Sequence, residues 1–253
     1  MVIRLLRVAI LSLCIAAATS APASEVQLHF YTEEYPPVTF SRGGKAAGLA
    51  TEIVEEILRR HGATAPIDVV PWARGYKFAS TTPNVGLFAT TRTEEREKLF
   101  KWVGPIASTT ARFYVRRGGP RVENIEQARA AGRVLVPREW YLDQLLRGMG
   151  FSNLNAVTSP AEAVKMLAAG RAPLMALDDV TLAATVTAEG INASEIETAF
   201  ILMQSFQYIA FSRGTSDEAV ARWQKTLDAM KADGSYERIH AKWLPGVKPP
   251  GVR

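Results

Sequence analysis

The sequence predicts an α/β fold made of largely parallel sheets flanked by helices. Short apolar segments alternate along the chain with stretches whose apolar residues recur at helical spacing, the pattern of strand–helix layers. Capping residues stand where those helical stretches start and stop. The only cysteine, Cys14, falls in an N-terminal apolar run, so the rest of the chain has no disulfide and must be held by packing.

The elements follow in order. Arg4 and Arg7 precede an apolar run over 8–18 broken only by Ser12, and Ala21-Pro22-Ala23 offers a small-residue cleavage pattern. Residues 1–23 therefore read as a secretory signal peptide, too short to span a membrane, with a retained anchor as the alternative. Leu13 is too large to precede a lipoprotein cysteine, so Cys14 is expected to leave with the signal. About 230 residues then remain, enough for one large domain or two modest ones.

A strand is predicted over 26–31. Leu49, Ile53, Ile57 and Leu58 form the stripe of a helix that stops at Gly62, a residue suited to a left-handed C′ position. Strands over 67–70 and 85–90 follow. Strands over 113–116 and 134–136 flank a helical stretch over 123–131. Ser159-Pro160-Ala161-Glu162 opens the next helix with a cap, a proline at the first position and a glutamate at the third. That helix carries Val164 and Leu167 and ends at Gly170. Strands over 174–177 and 209–212 come next. Thr215, with Glu218 three residues on, reads as another capping box, for a helix that buries Val220, Trp223, Leu227 and Met230 and stops at Gly234. The proline-rich end, 245–253, reads as a tail.

Several function classes are disfavoured. The net charge of +5 falls by two with Arg4 and Arg7 and is spread along the chain. No Lys/Arg block tracks nucleic acid, so no nucleic-acid partner is expected. His29, His61 and His240 lie far apart without ligand-spaced partners, and no metal is expected. No Gly-x-Ser-x-Gly elbow or glycine-rich phosphate loop occurs, and no cofactor is expected.

Four stretches in series carry a family resemblance. They are Glu34-Tyr35-Pro36-Pro37, Thr93-Glu94-Glu95-Arg96, Gly170-Arg171 before an apolar strand ending in Asp178, and Asp233-Gly234-Ser235-Tyr236 with Lys242-Trp243-Leu244. In this order, over about residues 25–246, they resemble the bacterial extracellular solute-binding proteins that serve polar amino-acid transporters. The resemblance implies a two-lobed periplasmic-binding-protein-like fold, each lobe a mostly parallel sheet flanked by helices, joined by two crossing strands near 111–116 and 206–211. Lobe one would be 24–112 plus 208–253, and lobe two 113–207. It further implies a periplasmic monomer that closes over a small polar, carboxylate-bearing solute and does no chemistry on it. The partner would be the membrane permease of an ABC transporter. Two other functions stay open: a dehydratase-like enzyme on the same scaffold, with Glu139 as the candidate acid, and a sensor component that presents its ligand to a receptor.

The site residues divide between reasoning and resemblance. Thr93 is a candidate N-cap that places Arg96 in a first helical turn, where free N–H groups and the helix dipole favour an anion. A guanidinium beside them can grip a carboxylate in a bidentate pair. The residues alone also allow a surface arginine paired with Glu95 or Glu97. The family's carboxylate-binding arginine matches Arg96, and a ligand-bonding Ser or Thr matches Thr91. Arg92 adds a second cation or is solvated. Tyr35, in a loop stiffened by Pro36 and Pro37, and Trp72, at a family position that is usually aromatic, could sandwich a ligand group or pack in the core. Arg74 lies close by. Asp178 matches the family's acid for an α-amino group, with a helix cap as the alternative.

The sequence departs from the family in one place that matters. Where lobe two usually has a Gly-Ser/Thr-Ser/Thr turn, this chain reads Pro137-Arg138-Glu139-Trp140-Tyr141. Proline removes a donor and bulky side chains fill the turn, so Arg138 or Trp140 could recognise an organic acid, a modified amino acid or a short peptide. Ala89 replaces a frequent small polar residue, and Thr81-Thr82-Pro83-Asn84 replaces a Gly-x-x-Asp turn.

Overall fold

The computed structural model describes residues 27–251. The expected signal segment with Cys14, and Val26 of the first predicted strand, lie outside them. The first half of the chain runs β1 (His29–Thr32), a hairpin of β2 (Phe40–Arg42) and β3 (Lys45–Ala47), α1 (Leu49–His61), β4 (Ile67–Val69), α2 (Trp72–Thr81), β5 (Val85–Thr91), α3 (Glu94–Glu97) and β6 (Phe100–Arg116). The second half runs α4 (Ile125–Ala130), β7 (Val134–Pro137), α5 (Tyr141–Gly148), β8 (Leu154–Val157), α6 (Pro160–Ala168), β9 (Leu174–Asp178), α7 (Asp179–Ala188), β10 (Ile196–Ser212), α8 (Asp217–Ala232) and α9 (Ser235–Trp243).

Eight strands form one sheet in the order β4-β1-β5-β10-β6-β9-β7-β8. The outer trios are parallel within themselves. The long strands β6 and β10 pair antiparallel along nearly their whole lengths. One end of β10 meets β5, through Gln207 to Phe211, while the far end of β6 meets β9, through Ala111 to Tyr114. Two strands therefore belong to both halves. One core gathers Phe30, Ile53, Phe88, Phe211, Trp223 and Tyr236, and separate cores in the other half gather Leu135, Val164 and Met175, and Phe113 and Leu146. Burial of side chains this size contributes about 2 kcal/mol each, so each half has an apolar core of its own to hold it.

Local sequence accounts for most boundaries. The stripe of α1 is buried at Leu49, Ile53, Ile57 and Leu58, and the helix ends at left-handed Gly62. Ser159 Oγ accepts from the Glu162 N–H at 3.2 Å, as a helix start there requires. The capping box read at Thr215 is displaced by one residue. Ser216 accepts from the Ala219 N–H, because Thr215 is drawn inward, buried against Ser212. In α8, Trp223, Leu227 and Met230 are buried, whereas Val220 is half-buried.

Helices α2, α5 and α7 lack a counterpart in the periodicity reading. All three are ten residues or fewer, and none starts with a side-chain cap. The long strands exceed their predicted pieces, 113–116 and 209–212, because register shifts at Thr198/Phe200, Ile201/Met203 and Gln207/Ile209 break the period-two pattern. Gly104 sits on β6 within the stretch that pairs with the β5 end of β10, at φ 153°, and a Cβ there would lie 2.5 Å from the Tyr208 ring.

Candidate ligand-binding site

The ends of β1 and β5, the starts of α2 and α5, and the middle of β10 converge between the two lobes. They enclose a cavity of about 20 Å³ lined by Glu33, Tyr35, Trp72, Ala89, Thr91, Arg96, Trp140, Tyr141 and Gln207. A space that small holds about one water. The lobes are packed closed, and Trp140 touches the cores of both.

Arg96 is 5% exposed. Its Nη1 donates to the Thr91 carbonyl at 3.1 Å and its Nη2 to Gln144 Oε1 at 3.0 Å. The guanidinium carbon lies 4.9 Å from the Trp72 ring centroid and 5.6 Å from that of Tyr76. Among the described residues, no acid comes within salt-bridge distance of it. Glu97 is taken by Arg92, so the surface pairing the sequence allowed for Arg96 does not form. Thr93 takes the N-cap position and Arg96 stands in the single turn of α3, as the sequence predicts, but α3 is only four residues long and Thr93 makes no side-chain cap bond. The cation is set instead by burial, aromatic faces and two carbonyl-type acceptors. Burial pushes its pKa down, with Tyr76 and Glu33 acting against that.

Thr91 and Gln207 stand directly opposite on β5 and β10. Thr91 Oγ1 donates to Gln207 Oε1 at 3.1 Å, which leaves Gln207 Nε2 buried in the cavity wall without a partner. An unpaired buried donor costs about 1–3 kcal/mol, which an incoming acceptor recovers. Ala89 holds a left-handed φ of 59° inside the strand, a strained conformation that locally interrupts β5 pairing beside the cavity.

Asp178 takes a different place from the one the resemblance implied. It is wholly buried and does not line the cavity. Three hydroxyls occupy its carboxylate: Tyr35 at 2.9 Å, Tyr141 at 2.6 Å and Thr109 at 3.1 Å. Burial raises its pKa to about 6, while the three donors pull the other way. Asp178 caps α7 by position without a side-chain cap bond. Asp179 accepts from the Thr110 N–H.

The expected sandwich of Tyr35 and Trp72 is also rearranged. Both rings line the cavity, but Tyr35 meets Trp140 edge-on at 5.1 Å, while Trp72 covers Arg96. A turn closed by Tyr35 and Thr39 around Pro36 and Pro37 holds the Tyr35 ring in place. Arg74 and Arg138 are exposed and line neither this cavity nor its neighbour. Arg74 lies on the outer face of α2, and Arg138 reaches the Ala156 carbonyl. Glu139 is exposed and does not line the cavity either.

Sequence reasoning passed over Glu33, Gln207 and Gln144. Glu33 faces the cavity beside Arg96, and burial raises its pKa to about 8 despite that cation. Its adjacency to Glu34-Tyr35 was the available signal. Gln207 fell within the predicted crossing 206–211, but its role follows from the register opposite Thr91. Among the described residues, no group of three or more His, Cys, Asp or Glu is placed to hold a metal ion.

Two lobes joined by shared long strands, with a buried arginine held only by neutral partners at their junction, define a two-lobed binding protein. Residues 29–246 match the family described as bacterial extracellular solute-binding proteins, family 3. The chain belongs to that family. The Vibrio harveyi protein PatH, which carries the name amino-acid ABC transporter-binding protein, is 24% identical across 94% of this chain and 96% of its own. A histidine kinase sensor domain similar to periplasmic binding proteins superposes with a TM-score of 0.79 at 23% identity, covering 88% of this chain and 98% of its own. An ancestral arginine-binding protein bound to arginine gives 0.75 at 20% identity, over 87% and 98%. At those identities the two structures establish the shared fold.

Proposed function

We propose that this solute-binding protein captures a small carboxylate-bearing solute, an amino acid or a similar acid, between lobe one (24–112 and 208–253) and lobe two (113–207). It acts in the periplasm after loss of residues 1–23, as a monomer, and delivers the solute to the membrane permease of an ABC transporter. The observation that carries this reading is Arg96, a buried cation at the lobe junction whose partners are neutral. A carboxylate arriving there gains a charge-assisted bidentate bond, and Gln207 Nε2 offers it a further donor. Binding is a shift between open and closed lobes, with no bond made or broken. PatH's name supports the amino-acid and transporter parts of the reading.

The test is thermal unfolding of the mature chain against amino acids and small organic acids. A ligand at 100-fold its Kd stabilises by about 2.7 kcal/mol. Arg96→Ala should abolish the shift for every carboxylate. A carboxylate ligand bound equally well by that variant overturns the assignment.

Glu33 gives the enzyme reading a specific footing that Glu139 does not. An acid that keeps its proton at neutral pH inside a cavity is what a dehydratase on this scaffold needs as proton donor. Mass spectrometry of the same mixtures separates the two: unchanged solute supports capture, and a dehydrated product supports catalysis.

A further inference from the structure

The small cavity adjoins a second, larger space. A groove of about 770 Å³ shares Thr91, Arg96 and Tyr141 with it and runs between α5 and β10. Its far wall is apolar: Leu145 and Met149 from lobe two, Met203 and Phe206 from β10, with the Tyr208 ring beside them. Met203 is 37% exposed and Phe206 39%, among the few large apolar side chains of the described residues left open to solvent. The polar end carries one available cation. The groove's other arginine, Arg92, is held by both carboxylate oxygens of Glu97. The rim nearest Arg96 carries exposed Glu94 and Glu95.

We infer that the ligand is a monocarboxylate with an apolar or aromatic body, its head at Arg96 and Gln207 and its body along Leu145, Met149, Met203 and Phe206. This rests on the capture reading above and narrows its solute class. Three observations select that chemistry. The cavity proper holds no more than about a water, so anything larger must extend past Arg96, and the groove is the space adjoining it. Asp178, the acid expected for an α-ammonium, is sealed away by three hydroxyls, so the head group is bound as an anion without a matching ammonium site there. Glu94 and Glu95 repel a second negative charge, which disfavours dicarboxylates. The apolar wall then supplies the remaining affinity through buried area.

The experiment is calorimetric titration of the mature chain with straight-chain monocarboxylates from propionate to octanoate and with 3-phenylpropionate. Glycine, glutamate and arginine form the comparison set. Affinity should climb about fourfold per methylene over the first several carbons. Met203→Asp and Phe206→Ser, both at solvent-exposed positions, should each lower octanoate and phenylpropionate affinity at least tenfold. Arg96→Lys should weaken the whole series. If the small amino acids bind through Arg96 and neither groove variant alters any ligand, the groove inference fails while the capture reading stands. If no carboxylate binds, or binding ignores Arg96, both fail together.

Discussion

The Tyr35 hydroxyl, anchored in lobe one, donates to Asp178 Oδ2 in lobe two at 2.9 Å. Tyr141 and Thr109 complete the set, so a buried carboxylate binds across the cleft in place of a ligand. A closed arrangement thus exists in which the protein's own side chains satisfy each other. Arg96 makes a second crossing, through Gln144, whose amide also donates to the Glu139 carbonyl. Under the proposed function, a solute at Arg96 would compete with the Gln144 contact, and its affinity would be the difference between that contact and its own.

Tyr35→Phe removes one of three donors from a buried charged group and should cost about 1.5–3 kcal/mol, the range for hydrogen bonds to charges. Urea unfolding of the variant checks the loss. Small-angle scattering checks its origin, since losing a bond between lobes should raise the open fraction. Unchanged stability and radius would mean the bond contributes nothing to closure.

Glu33 sets a pH dependence of definite sign. Burial pushes its carboxyl up to about 8 from an ordinary 4.5, against the pull of Arg96, so the folded state holds more protons between those values. Stability is then highest at the acid side and falls as pH rises through the window, by up to about 1.4 kcal/mol per pH unit. Asp178, raised to about 6 from 3.8, acts in the same direction at lower pH. Glu33→Gln should flatten the slope of the urea midpoint between pH 6 and 8, and an unaltered slope would exclude Glu33 as its source.

Trp140→Ala should enlarge the cavity beyond one water, because the indole packs edge-on against Tyr35 and bridges both cores. The cost is about 2 kcal/mol, below that for a core tryptophan since Trp140 is half-buried. Thermal unfolding reads the stability, and a crystal structure of the variant reads the space. A collapsed cavity would show that neighbouring rings, not Trp140, close the site.

Ser216→Ala should cost about 1 kcal/mol and speed hydrogen exchange in the first turn of α8, where the hydroxyl accepts from the Ala219 N–H. No change in that turn's exchange would remove Ser216 as the cap.

Much of the fold was readable because its cues are local. The stripe ending at Gly62 and the start at Ser159 depend on residues within a few positions of each other, and both stand. The misplaced cap at Thr215 shows the limit: two adjacent hydroxyls look alike in sequence, and burial against Ser212 decides between them. α2, α5 and α7 were silent because short uncapped helices leave little periodicity.

By itself the sequence determined the alternation of strands and helices and the family, and it singled out Arg96 as a candidate, since each rests on residue type and order along the chain. Only the tertiary structure decided what surrounds that arginine. The pairing of Thr91 with Gln207, the sealing of Asp178, the cavity-facing position of Glu33 and the groove beyond all join residues tens of positions apart. Those contacts arise where two separately packed lobes close on shared strands, and no local pattern encodes the distance across that closure.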